Sequence, residues 1–205
     1  MLPKYASLFA VLCSTLALSV AQEPIEVPAG PKGSEVTLFA QEPLIKHPIG
    51  ICFDHRDRLL AVESHTHYPP KGYDGPKHDR ILWLRDTDGD GKADDSVVFF
   101  EGLQNTCLVK LHPTNGWIYV TTRNEVLRLR DTDGDGVANW VDRRLAWLET
   151  EGNHPHNGIS GLAFDQRGRL FFGMGENLGV AYTIHGTDGN SVSDEGEGGN
   201  VWWMK

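Results

Sequence analysis

The residues best suited to do chemistry in this chain are aspartates. Asp86, Asp88, Asp90 and Asp94 stand at positions 1, 3, 5 and 9 of one loop, with Gly91 at position 6. Asp131, Asp133, Asp135 and Asn139 repeat that spacing, and Asp142 adds a carboxylate at position 12. Ca2+ takes roughly six to eight hard oxygens, and a tight loop of alternating carboxylates can wrap it. Glycine at position 6 permits the sharp turn. Position 12 of the first loop is Val97, so Asp94 or Asp95 has to complete that shell. The alternative is a solvated turn closed by Asx hydrogen bonds.

Histidines form a second set. His65 with His67, and His154 with His156, are two His-x-His pairs. In extended chain such pairs point the same way and can chelate a transition metal; hydrogen-bonded loop histidines are the alternative. Glu63, Arg123, Asn124, Glu176 and Asn177 all lie at the ends of apolar runs. Gathered at one mouth, they suit a general base, a polar clamp or a central Ca2+.

The elements that must position these residues are repeated. RDTDGDG occurs at 85–91 and again at 130–136, each time after a short apolar run. GICFDHRDRLL (50–60) is echoed by GLAFDQRGRLF (161–171), with LVKLHPTNGWIYV (108–120) as a looser copy. A unit of some 45 to 60 residues recurring about three times lies in the range of propeller blades. The segments between turns are short and β-rich, which predicts strands at 36–40, 50–54, 58–63, 81–85, 96–100, 107–112, 117–122, 125–130, 143–148, 159–164, 170–174 and 201–204. The predicted fold is therefore all-β, a partial β-propeller of four-stranded blades with about three blades present, at roughly 36–103, 104–150 and 151–205. A chain that zigzags outward puts its first-to-second and third-to-fourth turns on one face. Both aspartate loops follow a third strand and fall on that face. Glu63 to Pro70, Arg123–Asn124, 153–157 and Glu176 onward fall on the other. The glycine-rich, acidic stretch 186–199 reads as a mobile loop or a lid.

Lys4 followed by the apolar run 5–20, with Ser19 and Ala21 before Gln22, predicts a signal peptide over 1–21. Residues 22–34 then form a linker and 35–205 the propeller part. The expected location is periplasmic or extracellular after cleavage at Ala21. No later apolar run is long enough for a mature transmembrane helix. Lys and Arg number 19 against 28 Asp and Glu, a net charge of −9. Such a chain is a poor partner for nucleic acid. Cys52 and Cys107 lie in apolar strand-like runs, which predicts two buried free thiols, although export permits a disulfide.

The combination of VTLFAQEPLIKHPIGICFD, ESHTHYPPKGYDGPKHDRILWLRDTDGDGKAD, HPHNGISGLAFDQRGRLFFGMGENLG and GEGGNVWW resembles the planctomycete-type membrane-bound dehydrogenase propellers. These are similar in turn to the soluble quinoprotein glucose/sorbosone dehydrogenases. The resemblance spans about residues 35–205. It implies a six-bladed propeller, Ca2+ and pyrroloquinoline quinone, with a sugar or alcohol as substrate and an electron acceptor such as a cytochrome c. It also implies a histidine base, at His156 with His154 as fallback. Arginine and asparagine side chains normally follow the GMGEN-like segment and polarise the quinone. Here Asn177-Leu178-Gly179-Val180 follows, so Arg123 would have to serve from the neighbouring blade. Glu63, Asn124, Glu176 and Asn177 would line the cofactor pocket. Longer relatives carry a Cys-x-x-Cys-His haem motif that this sequence lacks, so no covalent haem is expected in this chain.

Three readings follow. The first is an exported quinoprotein dehydrogenase-like propeller, expected to be the N-terminal half of a longer one because its last strand ends in mid-blade. The second is a non-catalytic, calcium-stabilised propeller that binds carbohydrate or a protein partner. The third is a calcium-dependent lactonase-like hydrolase with Glu63 and Asn177 on a central ion.

Overall fold

The computed structural model describes residues 25–152 and 157–204. The predicted signal peptide, His154 and His156 lie outside the described residues. The chain divides into two units, Met1–Thr37 and Leu38–Lys205. In the first, residues 25–37 are irregular, with one turn closed where Ser34 N–H donates to Pro31 O at 2.9 Å.

The second unit is all-β; among the described residues there is no helix, and so none long and apolar enough to cross a membrane. Thirteen strands run in order: β1 Pro48–Phe53, β2 Leu59–Glu63, β3 Asp79–Arg85, β4 Asp95–Leu103, β5 Thr106–Leu111, β6 Ile118–Thr122, β7 Glu125–Arg130, β8 Trp140–Thr150, β9 Ile159–Phe164, β10 Leu170–Glu176, β11 Tyr182–Gly186, β12 Ser191–Asp194 and β13 Gly198–Met204. They form antiparallel sheets ordered β1-β2-β3-β4, β12-β11-β8-β7-β6-β5 and β13-β10-β9. The innermost strands β1, β5 and β9 lie side by side in succession. This is the blade arrangement of a propeller, present here as an open array.

Central strands show why the sequence reads as short apolar runs. β6 is buried along its whole length, but its residues alternate between two cores. Ile118 and Val120 pack with Leu60, Val62, Ile81 and Phe99 of the first sheet, together with Leu127 and Leu129. Tyr119 faces the opposite way, toward Ile159, Leu162, Leu170, Phe172 and Met174. A sheet sandwiched between two others has no wet face, so the usual polar alternation vanishes.

The repeated first turns are built alike. Asp54 Oδ1 accepts the N–H groups of Arg56 and Arg58 at 2.8 and 2.9 Å. Asp165 Oδ1 accepts those of Arg167 and Arg169 at 2.9 and 2.8 Å. In the middle copy His112 replaces the aspartate, and its Nδ1 accepts Thr114 N–H at 3.2 Å. These turns also link neighbouring blades. Arg58 reaches Asp131 at 2.7 Å, and His112 Nε2 lies 3.2 Å from Gly168 O.

Two expectations need correction. Residues 36–40 form no strand; Phe39 and Ala40 pack against Ile45, Ala61, Leu82 and Leu84, and the ladder begins at β1. The stretch 186–199 is not a free loop. Most of it belongs to the β11–β12 hairpin and the start of β13, and β11 pairs with β8, from Tyr182–Thr150 to Gly186–Ala146. Burial of Tyr182 and Ile184 in the core beside Leu148 and Phe172 drives that docking.

Candidate functional site

Each aspartate loop joins a third strand to a fourth, β3 to β4 and β7 to β8. In the first, Asp86 accepts Gly89 N–H at 2.7 Å and Gly91 N–H at 2.9 Å. In the second, Asp131 accepts Gly134 N–H at 2.6 Å and Gly136 N–H at 3.1 Å. Gly91 and Gly136 have φ of 86° and 96°, the left-handed region that position 6 requires. Carboxylate oxygens of Asp86, Asp88 and Asp94 lie within 4.8 Å of one another, as do those of Asp131, Asp133 and Asp135. Three converging carboxylates are a donor set that fits a hard cation.

Hydrogen bonds within and beside these loops hold them in shape. Asp90 accepts Lys92 N–H at 2.8 Å. Asp94 and Asn139 each accept both the N–H and the hydroxyl of a threonine, Thr87 and Thr132, at 2.7 to 2.9 Å. The Thr87 bonds hold Asp94 below its ordinary pKa. Asp142 is turned to Arg128, whose Nε donates at 2.8 Å, and to Trp140 at 3.1 Å. The loops also differ in charge. Asp131 is buried and carries Arg58, whereas the oxygens of Asp86 take backbone N–H groups. Burial pushes the Asp131 pKa up; Arg58 and the two glycine N–H groups outweigh it and hold the carboxyl at about 2.

Among the described residues, the opposite rim is made by the β2–β3, β6–β7 and β10–β11 connections, with Gly152 and Asn157 beside them. Glu63, at the end of β2, is 1% exposed. Its Oε1 accepts Lys46 N–H at 2.8 Å. Its Oε2 takes Arg80 Nε at 2.7 Å and His65 Nε2 at 2.9 Å, with a second, closer bond from Arg80 NH2. The other ring nitrogen of His65 lies 2.5 Å from the Tyr73 hydroxyl. Both nitrogens of His65 are thus engaged within the protein. Glu63 with its oxygens so filled gives no support to the lactonase reading.

Arg123 and Asn124 form the β6–β7 turn, where Arg123 Nε donates to Asn124 Oδ1 at 3.3 Å and Arg123 O accepts Ile159 N–H at 2.8 Å. Glu176 is exposed at the end of β10. Asn177, next in sequence, is fully buried, its N–H donating to Glu197 O at 2.7 Å. A side-chain carbon on Gly152 would meet Asn157 Nδ2 at 3.0 Å and Asn177 Oδ1 at 3.1 Å, so both amides converge over that glycine. The Oδ1 atoms of Asn157 and Asn177 are buried with no hydrogen-bond donor among the described residues.

Sequence reasoning missed Asn157, Tyr73, Arg80 and Asp79. Asp79 is fully buried and accepts the N–H groups of His65, Thr66 and Thr106 at 2.6, 2.9 and 2.8 Å. It fixes the start of the β2–β3 loop and the entry to the second blade together. An acid opening an apolar run, as Asp79 opens Asp-Arg-Ile-Leu-Trp-Leu, was the available signal.

A family model described as a domain of unknown function, DUF7133, matches residues 20–197, and the chain belongs to that family. No curated protein matches it. Among solved structures it is similar to the iodide and calcium structures of Trichoderma reesei Carbohydrate-Active Enzymes Family AA12. Each has 17% identity and a TM-score of 0.51, over 75% of this chain and 35% of the other. The holo form of the pyranose dehydrogenase PQQ domain from Coprinopsis cinerea matches at 14% identity and a TM-score of 0.49, over 70% of this chain and 34% of that one. The chain spans about a third of the length of the solved structures it matches. At such identities the likeness establishes the fold.

Proposed function

We propose that this DUF7133 chain contributes blades to an exported, quinoprotein sugar/alcohol dehydrogenase-like propeller, akin to the planctomycete-type membrane-bound dehydrogenases. One observation carries the reading: the unpaired, buried oxygens of Asn157 and Asn177 at the rim. A buried acceptor without a donor costs about 1–3 kcal/mol and calls for a partner. Amide oxygens accept the hydroxyl hydrogens of a sugar, and they also ligate Ca2+. Residues 153–156, with His154 and His156, stand between Gly152 and Asn157 in the chain. In this reading His156, or else His154, takes the hydroxyl proton of the substrate. Arg123, Asn124 and Glu176 supply charge and hydrogen bonds to the cofactor. Glu63 anchors the end of β2 through Arg80 and His65. Pyrroloquinoline quinone, when bound, accepts the hydride.

The test is reconstitution with pyrroloquinoline quinone and Ca2+, followed by dye reduction over a panel of sugars. Wild type should reduce dye, and Asn177→Ala should lose at least about tenfold in rate, the equivalent of one lost hydrogen bond. No quinone binding, or equal rates in the two proteins, sinks the reading.

A second reading, a non-catalytic calcium-stabilised propeller, is favoured by the converging carboxylates of the aspartate loops. Ca2+ at about a hundredfold its Kd adds about 2.7 kcal/mol, several degrees of Tm for a chain this size. A chelator that leaves the Tm unchanged removes calcium from both readings.

A further inference from the structure

The β2–β3 connection roofs a cleft of about 250 Å3 whose walls include His47, Ser64, His65, Tyr68, Pro70 and Tyr73. The hydrogen-bond polarity within it can be worked out. Glu63 is ionised: its burial raises its pKa, but His65, Arg80 and Lys46 N–H together lower it further. A carboxylate only accepts, so His65 Nε2 carries the hydrogen that bridges to Glu63. With its hydrogen on Nε2, the His65 ring turns Nδ1 to the Tyr73 hydroxyl as an acceptor, and that hydroxyl donates to it. The hydrogen of Tyr73 is committed, and its oxygen offers the cleft only lone pairs.

Three features surround that acceptor. Tyr68 is 80% exposed, and with Pro69 and Pro70 it gives an apolar wall. Ser64 lines the same cleft, and its hydroxyl is buried with no partner among the described residues. His47 holds a left-handed φ of 48°, pinned where Ser64 N–H donates to its carbonyl at 3.2 Å. Gly75 completes the frame: a side chain there would collide with the Tyr73 hydroxyl, so glycine lets the ring sit against His65.

We propose that this cleft binds a single hydroxyl-bearing ring, a pyranose or cyclic polyol, which donates a hydroxyl hydrogen to Tyr73 and stacks a C–H face on Tyr68. An apolar wall beside a fixed acceptor and an orphan serine matches a ring that is apolar on its faces and hydroxylated at its edge. The volume lies below the roughly 300–1,000 Å3 of drug-sized pockets, which suits one ring. Glu63 and His65 are positioning residues that act through Tyr73. The proposal needs neither quinone nor calcium and does not rest on the dehydrogenase reading.

The experiment is calorimetric titration of the full chain with methyl glucoside, myo-inositol and their O-methylated forms. Wild type should bind one of the free polyols saturably in the millimolar range and its O-methylated form at least about tenfold more weakly. Tyr73→Phe should lose that preference for the free hydroxyl, with a Tm lowered by no more than the few degrees that an unpaired His65 Nδ1 costs, and Gly75→Ala should lose it too. Tyr68→Ala should weaken both forms alike. Binding of none of the probes overturns the proposal. So does a Tyr73→Phe protein that keeps the wild-type preference, or binding that Asn177→Ala abolishes and Tyr68→Ala leaves intact. Absence of dye reduction bears only on the dehydrogenase reading, because the titration measures binding without turnover.

Discussion

Replacing Arg58 with alanine tests the strut between the first two blades. The Arg58 side chain is 8% exposed and lies 2.6 Å from Asp54 and 2.7 Å from Asp131, each about 1% exposed. Removing it strands two buried carboxylates, and loss of one partner of a buried ion pair costs about 3–5 kcal/mol. Asp131 gives a partial check. Its carboxyl sits at about 2 against an ordinary 3.8, worth about 2 kcal/mol at neutral pH. Asp54 and the stacking of Arg58 on Trp83 and Phe99 account for the remainder. The pH dependence gives the sharper test. A depressed folded pKa contributes stability above pH 3.8, and that stability is lost as pH falls through about 2. Wild type should therefore weaken below about pH 4. In Arg58→Ala the Asp131 carboxyl loses the largest of the interactions that lower its pKa, so the variant should lose less stability than wild type as pH falls from about 4 toward 2. Urea unfolding followed by tryptophan fluorescence, at several pH values, measures both slopes. A loss under about 1 kcal/mol at pH 7, or parallel pH profiles for the two proteins, refutes the reasoning. Adding Asp54→Asn and Asp131→Asn to the variant should recover part of the loss.

Other outcomes are expected from the same structure. Burial pushes the Cys52 thiol up to about 12 and the Cys107 thiol to about 11, with Asp54 and Asp79 adding to the effect. Neither should react with iodoacetamide at pH 8 until urea is added, as peptide mapping would show; native labelling of either contradicts the assignment. Asp79→Ala removes the acceptor of three backbone N–H groups and should cost about 2–5 kcal/mol, a Tm drop of roughly 5–15 °C, with Asp79→Asn retaining part of it. Ile184→Ala should cost about 2–4 kcal/mol, because the β11–β12 hairpin is core rather than lid; a loss below about 1 kcal/mol would restore the lid.

Local signals made most of the fold legible. The two RDTDGDG copies marked both third-to-fourth turns, because alternating aspartates before glycine have few uses other than a tight, anion-lined turn. Runs such as Leu-Leu-Ala-Val-Glu at 59–63 and Ile-Tyr-Val-Thr-Thr at 118–122 marked central strands by starting with three or four consecutive apolar residues. The β11–β12 hairpin was not legible. β12 is Ser-Val-Ser-Asp, exposed along its length, so it carries no periodic signal, and what holds β11 is a partner on β8 far back in the chain. The site was legible only in part. Glu63 and Asn177 were visible as polar residues ending apolar runs. Tyr73 and Arg80 were not, because their role depends on the β2–β3 connection folding back so that Arg80 stands opposite Glu63 across the ladder.

The annexed hairpin bears on how the chain reaches its native state. β8 finds its last partner only after all of β9 and β10 has been made and passed. The second sheet closes through contacts distant in sequence, unlike the first, whose strands pair in strict succession. Such non-local pairing slows folding and defers loop-closure entropy to a late step. During synthesis the first sheet can settle as it emerges, while the outer edge of β8 stays open until β11, ending at Gly186, has followed it. The two later sheets are thereby joined into one kinetic unit, in which a defect in β11 delays the completion of strands synthesised well before it.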